Sequence, residues 1–510
     1  MIIEKKTLED VNYRAFKMII KRKSNPLNIE IIKFYSLFLV TVFFVYYTSP
    51  GINRLYFLLL LFLFWLSKKD YSWFVFAFIL IAKPALLFHG GLATDIHRIP
   101  FYKITTGVSF DFFDLFFITS FIKALARGKR TKLILRKPLI YLLLYLIFLF
   151  LISFFYGMNF ELLTSSFRKF IVFTLFISFP YLVYKKEDFF KFIHLVFPIM
   201  FLIIFSQLLY LYTGNNLYSV MTAKGTSSII QLQEIQGHST FIRPMAGGEM
   251  LIFFSLIFSL FLIEKKDYPG KKSYLYIILG LSILSIFISA TRSWIVMFAI
   301  ILLLYSIFIV KKKARLLFNT SLIMLILFFS YLFIPRFAYS VDNTWRRVST
   351  IEYLIGGDVT AGGTLQRIDK RLPKVLEGFG KNPIFGWGFS ATCEKYYDQH
   401  VGNFNLLMQV GVVGEILFLY FWFMHFNMTF TTNKYLSYNN SFKSSILVLA
   451  IGFLGTLILH FTSFQFFGYS VDLERLIFII IFISFSESFG RAALKAEMSK
   501  KPPDIITNFR

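Results

Sequence analysis

Apolar runs of roughly 15 to 22 residues follow one another along most of the chain, each bounded by charged or turn-forming residues. A helix needs about 20 such residues to cross the roughly 30 Å of bilayer hydrocarbon. The pattern therefore predicts an all-α polytopic membrane protein with about fourteen transmembrane helices. The spans fall near 31–47, 51–66, 72–88, 108–122, 139–155, 170–184, 193–212, 249–263, 274–290, 293–310, 315–334, 403–425, 445–464 and 473–489. Two stretches break the rhythm, one near 213–248 and a longer one over 335–402. The expected organisation is a basic N-terminal segment (1–30), a transmembrane region (31–334), a long external loop (335–402), C-terminal transmembrane helices (403–489) and a tail (490–510).

Composition agrees, with 56% hydrophobic and only 16% charged residues, a mix that no water-soluble fold can bury. The formal charge of +26 changes the picture only if the basic residues form a nucleic-acid surface, and they do not. They gather at span ends: Lys21 to Lys23, Lys68-Lys69, Lys123 to Lys137, Lys185-Lys186, Lys265-Lys266, Lys271-Lys272 and Lys311 to Arg315. With the N-terminus in the cytoplasm all these clusters share the cytoplasmic side, as the positive-inside rule requires, and both long loops lie outside. The first thirty residues are polar and basic, so the first span is expected to act as its own insertion signal. Among those residues Leu8, Val11, Ala15, Ile19 and Ile20 have the spacing of an amphipathic helix on membrane lipid, or the segment is an ordinary basic tail. The one cysteine, Cys393, excludes a disulfide framework. It lies in the long loop and is expected to react with an impermeant maleimide unless folding buries it.

Long loops held by a rigid scaffold commonly carry function. In the longer one, TLQRIDKRLPKVLEGF predicts a short helix capped by Thr364, with Arg367 and Arg371 one turn apart and Ile368, Leu372, Val375 and Phe379 on an apolar side. Pro373 argues against that helix. Two guanidinium forks suit a phosphate or diphosphate, or else they contact headgroups or pair with Asp369 and Glu377. Next come the Gly-punctuated turn KNPIFGWGFS and then QHVGNFNLLMQVGVVGE, which enters a span. His400 stands just before that helix, where the positive dipole end favours neutral imidazole, a form able to accept a proton. Gly411 and Gly414 share a helical face and suit close helix packing. Arg243 (in GHSTFIRPMAGGEM, near His238 and Glu249) and Arg292 (in SATRSW) lie at outer span ends, against the orientation rule, so an anion is expected to compensate them. Lys83 raises the same question, with snorkelling as the alternative. The external loops carry no DxD-like pair, HExxH or Cys/His cluster, so no metal site is expected.

These elements resemble the O-antigen ligase and polymerase superfamily of bacterial envelope glycan assembly. The resemblance rests on SATRSW with Arg292, on Arg367 ahead of NPIFGWG, and on His400 followed by Gly411 and Gly414, with FIRPMAGGE around Arg243. It covers roughly 240–415 and is only topological elsewhere. Where the family commonly has Asn after the histidine and Trp four residues after the loop arginine, this chain has Val401 and Arg371.

The resemblance implies a GT-C-like, metal-independent glycosyltransferase in the bacterial inner membrane, acting at the periplasmic face without a cofactor. Its donor would be an undecaprenyl-diphosphate-linked glycan, and a chain-length regulator is a candidate partner. His400 would be the general base, Arg243, Arg292 and Arg367 would act on the diphosphate, and Arg371, Lys83 and Asn403 would bind substrate. Polymerisation of repeat units is the first expectation, ligation to lipid A-core the second. A flippase for lipid-linked oligosaccharide is the rival from another class, although no internal repeat is visible.

Overall fold

The computed structural model describes residues 26–82, 101–105, 108–128, 135–158, 160–213, 233–235, 238–241, 248–265, 268, 270–289, 291–310, 370–398, 401–437, 442–462 and 473–498, with isolated positions between 325 and 349. Three helices open it: α1 (Pro26–Tyr47), α2 (Pro50–Leu66) and α3 (Asp70–Ile81). Pro50 sits in the first turn of α2, where its missing N–H costs nothing. A hairpin of β1 (Tyr102–Thr105) and β2 (Val108–Phe110) then leads into α4 (Phe112–Arg127). The expected span over 108–122 thus begins later, because Asp111 and Asp114 form a reciprocal capping box that starts the helix at Phe112.

After α5 (Arg136–Ile152), the expected span 170–184 resolves into parts of two helices, α6 (Phe160–Phe173) and α7 (Leu175–Leu182). Thr174 separates them, its hydroxyl donating to Ile171 O at 2.6 Å in competition with the helical ladder. The helices α8 (Lys186–Val196) and α9 (Ile199–Thr213) flank Pro198. A second hairpin pairs β3 (Gln233–Ile235) with β4 (His238–Phe241), so short strands occur beside the helices among the described residues. Then follow α10 (Glu249–Glu264), α11 (Lys272–Ile288) and α12 (Arg292–Phe308). The long loop contributes α13 (Leu372–Lys381) and α14 (Ala391–Tyr396), before α15 (Asn403–Tyr435), α16 (Lys443–Thr462) and α17 (Leu473–Met498).

Among the described residues five helical stretches are long and apolar enough to cross a membrane: Asn28–Tyr47, Lys186–Leu209 (α8 with most of α9), Asn403–Tyr435, Lys443–Phe461 and Leu473–Ala493. Shorter apolar helices cover Pro50–Leu66, Asp70–Ile81, Lys137–Ile152, Lys272–Ile288 and Ser293–Phe308. The expected span 315–334 lies largely outside the described residues. The core forms around α10 and α17: every residue from Glu249 to Ile263 is buried, and so are Leu476 to Phe485. By contrast α1, α2, α5 and α15 turn Phe43, Leu55, Leu144 and Phe423 outward, each more than half exposed. A helix bundle with a dry centre and an apolar outside is what a lipid solvent selects.

The polar contacts sort the loops into two ends. At one, Glu30 binds Lys69, Lys123 binds Asp70, Arg127 reaches Trp65 O, and Lys186 and Lys265 both lie over the Phe442 ring. These are the segments whose basic residues the sequence assigns to one side. Burial and then the neighbouring Lys186 ammonium push the Lys265 pKa down to about 8.

Candidate active site

The turn NPIFGWG is the wedge in a broken helix. Within α15 Gly411 has φ 63° and ψ −177°, which is not helical, and the chain reverses there. An interrupted helix leaves carbonyls without donors before the break and N–H groups without acceptors after it. The turn meets them in order. Trp387 N donates to Met408 O at 3.3 Å and Gly388 N to Gln409 O at 2.8 Å, while Tyr145 OH donates to Val410 O at 2.6 Å. Past the break, Val412 N donates to Pro383 O at 2.9 Å and Val413 N to Ile384 O at 3.2 Å. The backbones come so close that a Cβ on Gly386 or Gly411 would run into the other segment's main chain, and both have positive φ. The expectation that Gly411 and Gly414 share one helical face is therefore corrected, and the expected span over 403–425 carries a break at Gly411. Gly414 does pack closely, against Tyr145 of α5.

The rest of the loop is tied to the same place. Phe389 N donates to Ser153 Oγ at 2.7 Å and Ala391 N to Gly157 O at 2.7 Å, which fixes the loop to the C-terminal end of α5. Trp387 Nε1 donates to Gly378 O at 2.8 Å, docking α13 on the turn. As the sequence anticipates, Leu372, Val375 and Phe379 form the inner face of α13, packed with Cys393, Tyr396, Val401 and Met408. Thr364 and Arg367 lie outside the described residues; Arg371 is the residue before α13, and Pro373 falls in its first turn, where proline is tolerated. Arg371 pairs with Asp398 at 3.6 Å, whereas Glu377 pairs with Lys381 at 2.7 Å. Glu377, and then the Tyr396 hydroxyl, hold the exposed Lys381 ammonium up at about 12.

Cys393 is fully buried, the case in which the sequence reading does not expect a maleimide to reach it. Burial pushes its pKa up to about 12. An impermeant maleimide is expected to label Cys393 only after denaturation, so topology is better tested with a cysteine placed between Gly356 and Gly363. The unfolded thiol ionises near its ordinary value and the folded one only near 12. Stability from this group is therefore present below the ordinary value and falls as pH rises towards 12. Rapid labelling of the native protein at neutral pH would contradict the burial.

His400, Arg243 and Lys83 lie outside the described residues, and Arg292 is described by its backbone, as the first residue of α12. The helices that follow three of these positions nevertheless share one end of the bundle. Gly452 of α16 packs on Ile257 of α10, and Gly455 on Met297 and Ile301 of α12. Eight residues on from Gly452 is His460, and eight back from Ile257 is Glu249. Five on from Gly455 is again His460, and five back from Met297 is Arg292. At about 1.5 Å per residue, antiparallel neighbours put Glu249 and Arg292 level with His460, and His460 Nε2 meets Asn403 Oδ1 at 2.9 Å. The starts of α10, α12 and α15, which follow Arg243, coincide with Arg292 and follow His400, thus converge.

Sequence reasoning missed several charged pairings at this end. Glu249 accepts from Arg475 at 3.4 Å, Arg168 pairs with Asp114 at 3.1 Å and Asp111 at 3.7 Å, and Glu415 accepts from Asn403 Nδ2 at 2.7 Å. Each is a charged residue inside an apolar run, a signal legible as such but without a partner in the linear chain. Asn403, expected to touch substrate, has both ends of its amide engaged by Glu415 and His460. An apolar cavity beneath the break is lined by Tyr145, Phe170, Phe173, Phe389, Lys169 and Gln409. No curated protein matches the chain. Residues 277–419, from α11 through the wedged turn and into α15, match the protein-family model described as O-Antigen ligase, which supports the O-antigen ligase and polymerase superfamily for this chain.

Proposed function

We propose that this chain is an integral-membrane glycosyltransferase of GT-C-like architecture that polymerises lipid-linked oligosaccharide repeat units at the periplasmic face of the bacterial inner membrane. The observation that carries the reading is the matched segment 277–419, because it contains Arg292, Arg367, His400 and the helix reversal together. The donor is an undecaprenyl-diphosphate-linked glycan. An acceptor sugar hydroxyl attacks the donor's anomeric carbon, His400 takes the hydroxyl proton, and the bond to the diphosphate breaks with its electron pair on the leaving oxygen. Arg243, Arg292 and Arg367 stabilise the charge that grows on the diphosphate, and Arg371 and Lys83 contribute to binding it. A diphosphate is a good leaving group, so positioning and charge stabilisation supply much of the barrier reduction.

The description of the matched family favours a second reading, transfer of a finished glycan to lipid A-core. Deleting the gene separates the two. A lost polymerase leaves surface glycan capped by a single repeat unit, the expected result, whereas a lost ligase leaves long chains on the lipid carrier. Turnover of a defined diphosphate-linked repeat by purified protein in detergent tests the enzyme reading against a flippase, which needs two compartments and changes no bond. Absence of new glycosidic linkage there, with all substrates supplied, would overturn it.

A further inference from the structure

In a continuous helix Asn403 and Glu415 would stand about 18 Å apart along the axis. The two side chains instead meet, Asn403 Nδ2 donating to Glu415 Oε1 at 2.7 Å, because the reversal at Gly411 folds 403–410 back beside the start of the second limb. The same amide reaches a third element: its Oδ1 accepts from His460 Nε2, near the end of α16, at 2.9 Å. His460 is fully buried, its ring beside Phe418 at 5.0 Å and Trp422 at 6.2 Å. One carboxamide therefore fastens both limbs of the broken helix to a neighbouring span, three residues after His400 and next to Gly402, whose φ is +64°.

We propose that Asn403, Glu415 and His460 are positioning residues that hold the start of α15, and with it the segment bearing His400, in its reactive register. The proposal rests on His400 being the general base. Apolar side chains would close the same bend without placing a carboxyl and an imidazole inside a membrane bundle, where such groups are expensive and mark function. Glu415 Oε2 is buried and meets no donor among the described residues, so the carboxyl is not arranged for stability alone. What the polar staple adds is direction. With Nδ2 on Glu415 and Oδ1 on His460, the Asn403 side chain has one orientation, and the first turn of α15 is fixed in rotation as well as in place.

The test uses the purified full-length protein with a defined diphosphate-linked donor. Asn403→Ala and Glu415→Leu are expected to lower kcat by about 10–100-fold, the cost of a misplaced reacting group, with KM for the donor within about twofold of wild type. Glu415→Gln is expected to restore most of kcat, because its amide oxygen accepts the same hydrogen bond and keeps the volume. The pH profile should keep its shape in all three. Wild-type kcat in Asn403→Ala and Glu415→Leu, or equal losses in the Gln and Leu variants, overturns the positioning role. A loss expressed in KM instead assigns Asn403 to substrate contact and also overturns it. If Asn403→Ala does not fold, the Glu415 pair alone decides. His400→Ala is the control that separates the two levels, since full turnover there sinks the general-base reading whatever the Asn403 variants do.

Discussion

Gly411→Ala is expected to destroy the site. A residue with a side chain at φ 63° and ψ −177° carries backbone strain of about 1–3 kcal/mol before any contact is considered. Its Cβ would also strike the carbonyl of Ile384 and the amide of Gly386, which are main chain and cannot swing aside. The cheapest relief is to expel the 383–388 turn, and that leaves the carbonyls of Met408 and Gln409 and the amides of Val412 and Val413 unpaired. We therefore expect a markedly lower melting temperature in detergent, rapid proteolysis in the long loop, and no turnover. Gly280→Ala, in α11 with nothing within 4 Å of the new methyl, is the matched control and should melt as wild type or slightly higher. Equal melting of the two variants would mean that α15 does not reverse at Gly411.

The second large effect is expected from His400→Ala. Loss of a general base typically lowers the rate by about 10²–10⁴, and here the protein should stay folded, with the same melting temperature and detergent-stable mass. Arg243→Ala, Arg292→Ala and Arg367→Ala should act through the donor, and Arg367→Lys should rescue only in part if the guanidinium binds the diphosphate through two parallel bonds. The comparison is informative because the two classes of variant fail differently: the glycine variant loses structure, the histidine variant only chemistry. Near-normal turnover by His400→Ala would remove that imidazole from the reaction and leave the family relationship untouched.

The apolar periodicity was enough to find helices over most expected spans, because a run long enough to cross hydrocarbon is a local property that needs no knowledge of neighbours. The motif spacing likewise pointed to roughly 240–415, which overlaps most of the matched 277–419, since Arg292, Arg367, NPIFGWG and His400 stand in an order legible in one dimension. Hydropathy could not show where helices break. Nothing in the apolarity of 403–425 distinguishes one straight span from two limbs, and the reversal becomes favourable only because a turn some twenty-five residues upstream supplies hydrogen-bond partners to both sides of the break. The same holds for Cys393, exposed by its place in a loop and buried by α13 and α15 packing over it. Asn403, Glu415 and His460 are scattered over 57 positions of sequence and became one group only in three dimensions. Sequence alone determined that this chain lives among lipids and which segment carries the family's residues, because both are written in residue type and spacing. Tertiary structure alone decided how the broken helix is held and what Asn403 touches, because hydrogen-bond partners across a bundle are set by packing.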